Sequence, residues 1–133
     1  MRWTVAAITF FLGAAPVLAD DPPGCDDLSS NIEIGQCTAA AYQKADQELN
    51  DIWPKVLLYI DDQKGSMPAD ALQKWKATIV AAQKAWVTFK EGDCAAVEYE
   101  WWGGSGASIA ETTCLYSHTA DRVADLKSRY LDR

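Results

Sequence analysis

From Ile34 onward, apolar and small residues recur in steps of three and four: Cys37, Ala41, Ala45, Leu49, Ile52, Val56 and Ile60. That spacing lays a single stripe along a helix. Ser30 and Glu33 stand just ahead of it with capping-box spacing, in which the serine oxygen accepts from the third backbone N–H. Pro54 lies inside the pattern and cannot donate to the carbonyl of Asn50, so a bend is expected there. The turn "DDQKGSMP" closes this element. A second stripe follows at Leu72, Trp75, Ile79, Ala82, Trp86 and Phe89, with Ser66 as its expected cap and Gly92 as its expected stop. A third helix is predicted after the glycines of "GGSGAS", capped by Ser105 or Ser108. It places Ile109, Tyr116, Val123 and Tyr130 at seven-residue intervals with Leu126 beside them. Strand-like alternation is missing, so the predicted fold is all-α: a long antiparallel hairpin plus a C-terminal helix.

The first residues stand apart from this pattern. "MRWTVAAITFFLGAAPVLAD" has a basic start at Arg2, an apolar run, and small residues before a cleavage point after Ala19, the layout of a secretory signal peptide over residues 1–19. Its apolar run is shorter than the roughly 20 residues a membrane span needs, so no membrane anchor is expected in the mature form. No cysteine follows the run directly, which argues against a lipid anchor. Residues 20–133 then form one domain, large enough for a core of its own.

An exported chain with four cysteines is expected to carry two disulfides. Residues facing each other across an antiparallel helix pair have numbers with a nearly constant sum. Ile60 with Leu72, Leu57 with Trp75, and Trp53 with Ile79 each give 132, and Cys37 with Cys94 gives 131. This register favours Cys37–Cys94, leaving Cys25–Cys114. By loop entropy the Cys37–Cys94 bridge would stabilise by about 4 kcal/mol. The local alternative, Cys25–Cys37 with Cys94–Cys114, stays open.

Charge and chemistry narrow the function. Once Arg2 is set aside, 11 basic residues face 19 acidic ones, a net charge of −8. Such a surface repels nucleic acid and attracts basic partners. No C-x-x-C pair occurs and His118 is the lone histidine, so neither a metal nor a cofactor is expected. "GGSGA" departs from the nucleophile-elbow pattern at Ala107, and no strand precedes it, so no catalytic triad is expected. Glu98 with Glu100, or Glu91 with Asp93, are carboxylate pairs of the kind glycosidases use, but such chemistry needs a cleft that holds one of them protonated. The reading is therefore non-enzymatic. Trp53, Trp75 and Trp86 fall on the stripes and read as core. Trp101 and Trp102 sit in an aperiodic segment beside glycines, where one can cover the helix ends and the other stand out as a binding anchor.

"ADQELN" (Ala45 to Asn50), "AQKAWVTFKEGDC" (Ala82 to Cys94), "GGS" (Gly103 to Ser105), then Cys114, Thr119, Arg122 and Leu126, resemble in order and spacing the N-terminal domain of the lysozyme inhibitor LprI family. These are small exported bacterial proteins with paired cysteines. The resemblance runs from about Cys25 to Lys127 and implies a helical, disulfide-held envelope domain with lysozyme binding as its activity. It also implies structural roles: Leu49, Gln83 and Trp86 holding the hairpin, Ser105 capping the third helix, and Arg122 reaching a carboxylate or a helix's last carbonyls. Two departures are the absence of a lipoprotein cysteine and the presence of Pro54 just after the "LN" pair. The leading functional expectation is a binding protein that blocks a basic lysozyme through Trp101, Trp102 and Ser105. The rivals are a structural or envelope-stress protein without lysozyme contact, and an enzyme acting on wall glycans through Glu98 and Glu100.

Overall fold

The computed structural model describes residues 22–132, and the expected signal peptide lies outside them. Three helices follow one another: α1 (Asn31–Asp61), α2 (Ala69–Glu100) and α3 (Ala107–Tyr130). No strand occurs among the described residues.

Local chemistry sets most of the helix ends. Ser30 Oγ accepts from the Glu33 backbone N–H at 3.2 Å and donates to Glu33 Oε2 at 2.8 Å, so the expected cap of α1 is present. Pro54 lies exposed within a helix that continues past it to Asp61. Ser66 does not cap α2. Its hydroxyl donates to the Gln63 carbonyl at 2.7 Å inside the turn, and Pro68 takes the cap position. Gly92 does not end α2 either. A mid-helix glycine costs only about 1 kcal/mol against alanine, and burial of Cys94 and its bond to α3 lie just beyond it.

α1 and α3 run parallel. Asn31 meets Ser105, Glu48 meets Lys127, and Tyr59 meets Tyr130, the numbers climbing together on both helices. α2 returns antiparallel to α3, as Cys94 with Cys114 and Gln83 with Arg122 show. α3 packs along both other helices, while α1 and α2 touch each other least. Leu49, Ile52, Val56 and Ile60 of α1, Leu72 and Ile79 of α2, and Val123 and Leu126 of α3 form the core. Trp53, Trp75 and Trp86 pack against it half-buried. Tyr59, Trp75 and Tyr130 close its end with edge-on and tilted ring contacts. Phe89 departs from the expected stripe. It is 56% exposed, because the inward position at this level of α2 belongs to its neighbour Lys90, 4% exposed.

The disulfides overturn the register-based pairing. Cys25 bonds Cys37, and Cys94 bonds Cys114, with Cα separations of 5.6 and 5.5 Å; neither Cys37–Cys94 nor Cys25–Cys114 forms. The register itself extends far along the pair, since Lys90 donates to the Tyr42 hydroxyl at 3.3 Å and those two numbers again give 132. Two long side chains bridge that gap. A disulfide needs Cα atoms within about 7 Å, and toward the cysteine end it is α3, not α1, that comes this close to α2.

Candidate functional site

The segment "EYEWWGGSGAS" forms the turn between α2 and α3. Trp101 caps the end of α2, its N–H donating to the Glu98 carbonyl, and the Trp102 N–H donates to the Tyr99 carbonyl, both at 3.2 Å. Gly103 then takes φ +77°, a left-handed conformation that glycine adopts without penalty. The Gly104 N–H returns to the Trp101 carbonyl at 2.9 Å, and a Cβ on Gly104 would sit 3.1 Å from that oxygen. The glycines are there to reverse the chain in a few residues. The tryptophans ride on the outside of that reversal. Trp101 is 55% exposed with its ring beside Gly106, and Trp102 is 79% exposed.

Ser105 is exposed in this turn, but its oxygen accepts from Asn31 Nδ2 at 2.8 Å and so ties the turn to the start of α1. It does not cap α3: the cap position is Gly106, with no side-chain bond. Ser108 lies already inside the first turn of that helix.

Below the turn, the ends of α1 and α2 stand on either side of α3 and leave a groove of about 650 Å³. Ile34, Val97, Trp101, Ile109 and Ala110 give it an apolar lining. Asn31, Asp93, Thr113, Ser117, His118 and Asp121 make its polar part. His118 Nε2 lies 2.8 Å from Asp93 Oδ2, and the Phe89 ring meets the imidazole edge-on with centroids 5.5 Å apart. An ionised carboxylate only accepts, so the imidazole N–H donates. The ligand atoms of Cys94, Cys114 and His118 lie within 4.8 Å of one another. Both sulfurs are consumed in the disulfide, however, which leaves the imidazole as the single metal-binding group of the three. Glu98 and Glu100 are exposed on the last turn of α2, and neither lines the groove.

Behind the groove, cations stack on aromatic faces. Lys90 Nζ lies 5.3 Å from the Tyr42 centroid and 5.1 Å from that of Trp86. The Arg122 guanidinium sits 5.9 Å from the Trp86 ring, with Nε donating to Gln83 Oε1 at 2.9 Å and Nη1 donating to Asp125 Oδ2 at 3.0 Å. Arg122 thus joins α3 to α2 through Gln83 and Trp86, while Leu49 lies in the core between the helices. The contact between Asp93 and His118 was not anticipated from the sequence. Its signal lay in the cysteines, because pairing Cys94 with Cys114 sets Asp93 about one helical turn from His118.

The LprI lysozyme-inhibitor family profile matches residues 25–126. The chain belongs to the lysozyme inhibitor LprI family. Its match begins at Cys25 and takes in both disulfides, the groove and the aromatic turn. Another protein similar to this LprI-family chain is an uncharacterized protein, R02472, of Rhizobium meliloti (strain 1021). It is 30% identical over 132 residues, covering 96% of this chain and 94% of its own. No solved structure matches this family member. Among the described residues, no helix is long and apolar enough to cross a membrane.

Proposed function

We propose that this protein is an exported, non-enzymatic inhibitor that protects the bacterial wall by binding a lysozyme. In this reading residues 1–19 are a leader removed after Ala19, and residues 20–133 act in the periplasm or outside the cell without a membrane anchor. The observation that carries the proposal is the exposed Tyr99, Trp101 and Trp102 on a tight turn of an acidic, LprI-family chain. Large exposed aromatics are typical interface anchors, and their rigid presentation lowers the entropy lost on binding. A lysozyme cleft carries two catalytic carboxylates on a surface that is usually basic, so an acidic partner is steered toward it and an aromatic turn can fill a sugar subsite. Trp101 and Trp102 are the proposed anchors, with Ser105 holding the turn in place through Asn31.

Titrating the purified protein against lysozymes of several types, with wall-lysis rate as the readout, tests this. Saturable inhibition of at least one of them is expected. Failure to slow any lysozyme would move the assignment to a structural envelope component in which the same turn only closes the helix ends.

A further inference from the structure

The groove beside the aromatic turn holds two carboxylates, with His118 as its one basic side chain among the described residues. Asp93 and Asp121 line it, and among the described residues no lysine or arginine does. Asp93 commits Oδ2 to His118, yet its side chain stays 47% exposed. Asp121 is exposed on α3 and has no hydrogen bond or ion pair among the described residues. The remaining surface is largely apolar, interrupted by Asn31, Thr113, Ser117 and His118, and Trp101 lines it at the turn end.

We propose that this groove receives an arginine side chain of the partner protein, with its stem along Val97, one turn of α2 from Asp93, and its guanidinium at Asp93 and Asp121. Three features select this occupant. An acyl chain or other wholly apolar group would strip water from two carboxylates and offer them no donor. An anionic sugar or phosphate would meet like charge. Arginine matches both parts, since its methylene stem covers apolar surface while its head stays polar. Its planar guanidinium is less strongly hydrated than an ammonium and offers five donors in a fork that two carboxylates can share. The partner's identity rests on the inhibitor reading, whereas the preference for guanidinium rests on the lining alone.

Two capped tripeptides test it by amide chemical-shift titration of the oxidised protein: acetyl-Leu-Arg-Leu-amide, and the same peptide with neutral, nearly isosteric citrulline. The arginine peptide is expected to shift the amides of Asp93, Val97, Ser117 and Asp121 and to bind about tenfold more tightly than the citrulline peptide. Asp121→Asn, an exposed change that leaves the fold intact, is expected to weaken the arginine peptide about tenfold and to leave the citrulline peptide unchanged. Asp93→Asn keeps an acceptor for His118 and is expected to act in the same direction. Equal binding of the two peptides, shifts mapping elsewhere, or no shifts at all would overturn the proposal. Wall-lysis inhibition by the same proteins separates it from the broader reading. Arginine selectivity without inhibition of any lysozyme defeats the inhibitor reading alone, and inhibition by a protein whose groove ignores the arginine defeats the groove alone.

Discussion

Tyr99 and Trp102 stack with their ring planes 7° apart and centroids 5.7 Å apart, while 68% and 79% of their surfaces remain open to water. The last turn of α2 presents the first ring and the residue before the reversal at Gly103 presents the second, so the pair is ordered by its mutual stacking rather than by burial. Trp102→Ala is therefore expected to weaken lysozyme binding by about 2 kcal/mol, about 30-fold, with helicity and melting temperature nearly unchanged. A buried lid would behave oppositely, losing about 3 kcal/mol or more of stability through a cavity. Inhibition assays and thermal melts on the same preparation distinguish the two.

Association with a basic lysozyme is expected to slow as salt rises, markedly so beyond the concentration at which the Debye length is about 8 Å. Stopped-flow rates across a salt series read this directly. A rate indifferent to salt would remove electrostatic steering from the mechanism.

Arg122 is a junction. Replacing it with alanine takes away the Gln83 hydrogen bond, the Asp125 ion pair and the stack on Trp86 in one step. With the Arg122 side chain only 15% exposed, a loss of about 1.5–3 kcal/mol in denaturant unfolding is expected. Arg122→Lys should recover little of it, because an ammonium cannot make the same fork of bonds or lie flat on the indole.

The helices and most of the core were legible in the chain, and the arrangement at the cysteine end was not. Leu49, Ile52, Val56 and Ile60 repeat at helical spacing and all point inward, since periodicity reports which face of a helix is buried. Periodicity says nothing of how far two helices diverge, and that distance decides whether Cys37 can reach Cys94. Gly92 looked like a terminus because propensity is a weak local preference, overridden here by the tertiary bond at Cys94. Ser66 and Ser105 looked like caps, but each hydroxyl has a nearer partner, Gln63 and Asn31 respectively. The prominence of Trp101 and Trp102 was readable from their aperiodic setting. The groove beside them depends on the disulfide pairing and so could not be read from the stripes.

Peptide mapping without reduction should recover one fragment joining Cys25 to Cys37 and another joining Cys94 to Cys114. Separations of 12 and 20 residues correspond to about 3 kcal/mol for each bridge by loop entropy. The Cys94→Ser/Cys114→Ser double variant is expected to lose about that much in denaturant unfolding. It should also weaken ligand binding in the groove, where Cys114 forms part of the wall.

Lys127 Nζ donates to Glu48 Oε1 at 3.0 Å, and this hydrogen bond together with the carboxylate's charge raises the lysine pKa above its ordinary 10.5. A raised folded-state pKa means stability that is fully present below 10.5 and lost as pH climbs through the folded value. The site is open to water, so the effect is expected to be small. Glu48→Gln should bring the Lys127 pKa down in a carbon-detected titration and flatten the loss of stability at alkaline pH.

Each cysteine in this fold bonds its immediate neighbour in the sequence. A chain made from its N-terminus outward exposes Cys25 and Cys37 long before Cys94 exists to compete for them, and Cys94 then meets Cys114 with both earlier thiols already spent. An oxidant that joins thiols in their order of appearance makes only correct bonds, with no shuffling step to undo. Such a pattern is expected to place little demand on a disulfide isomerase.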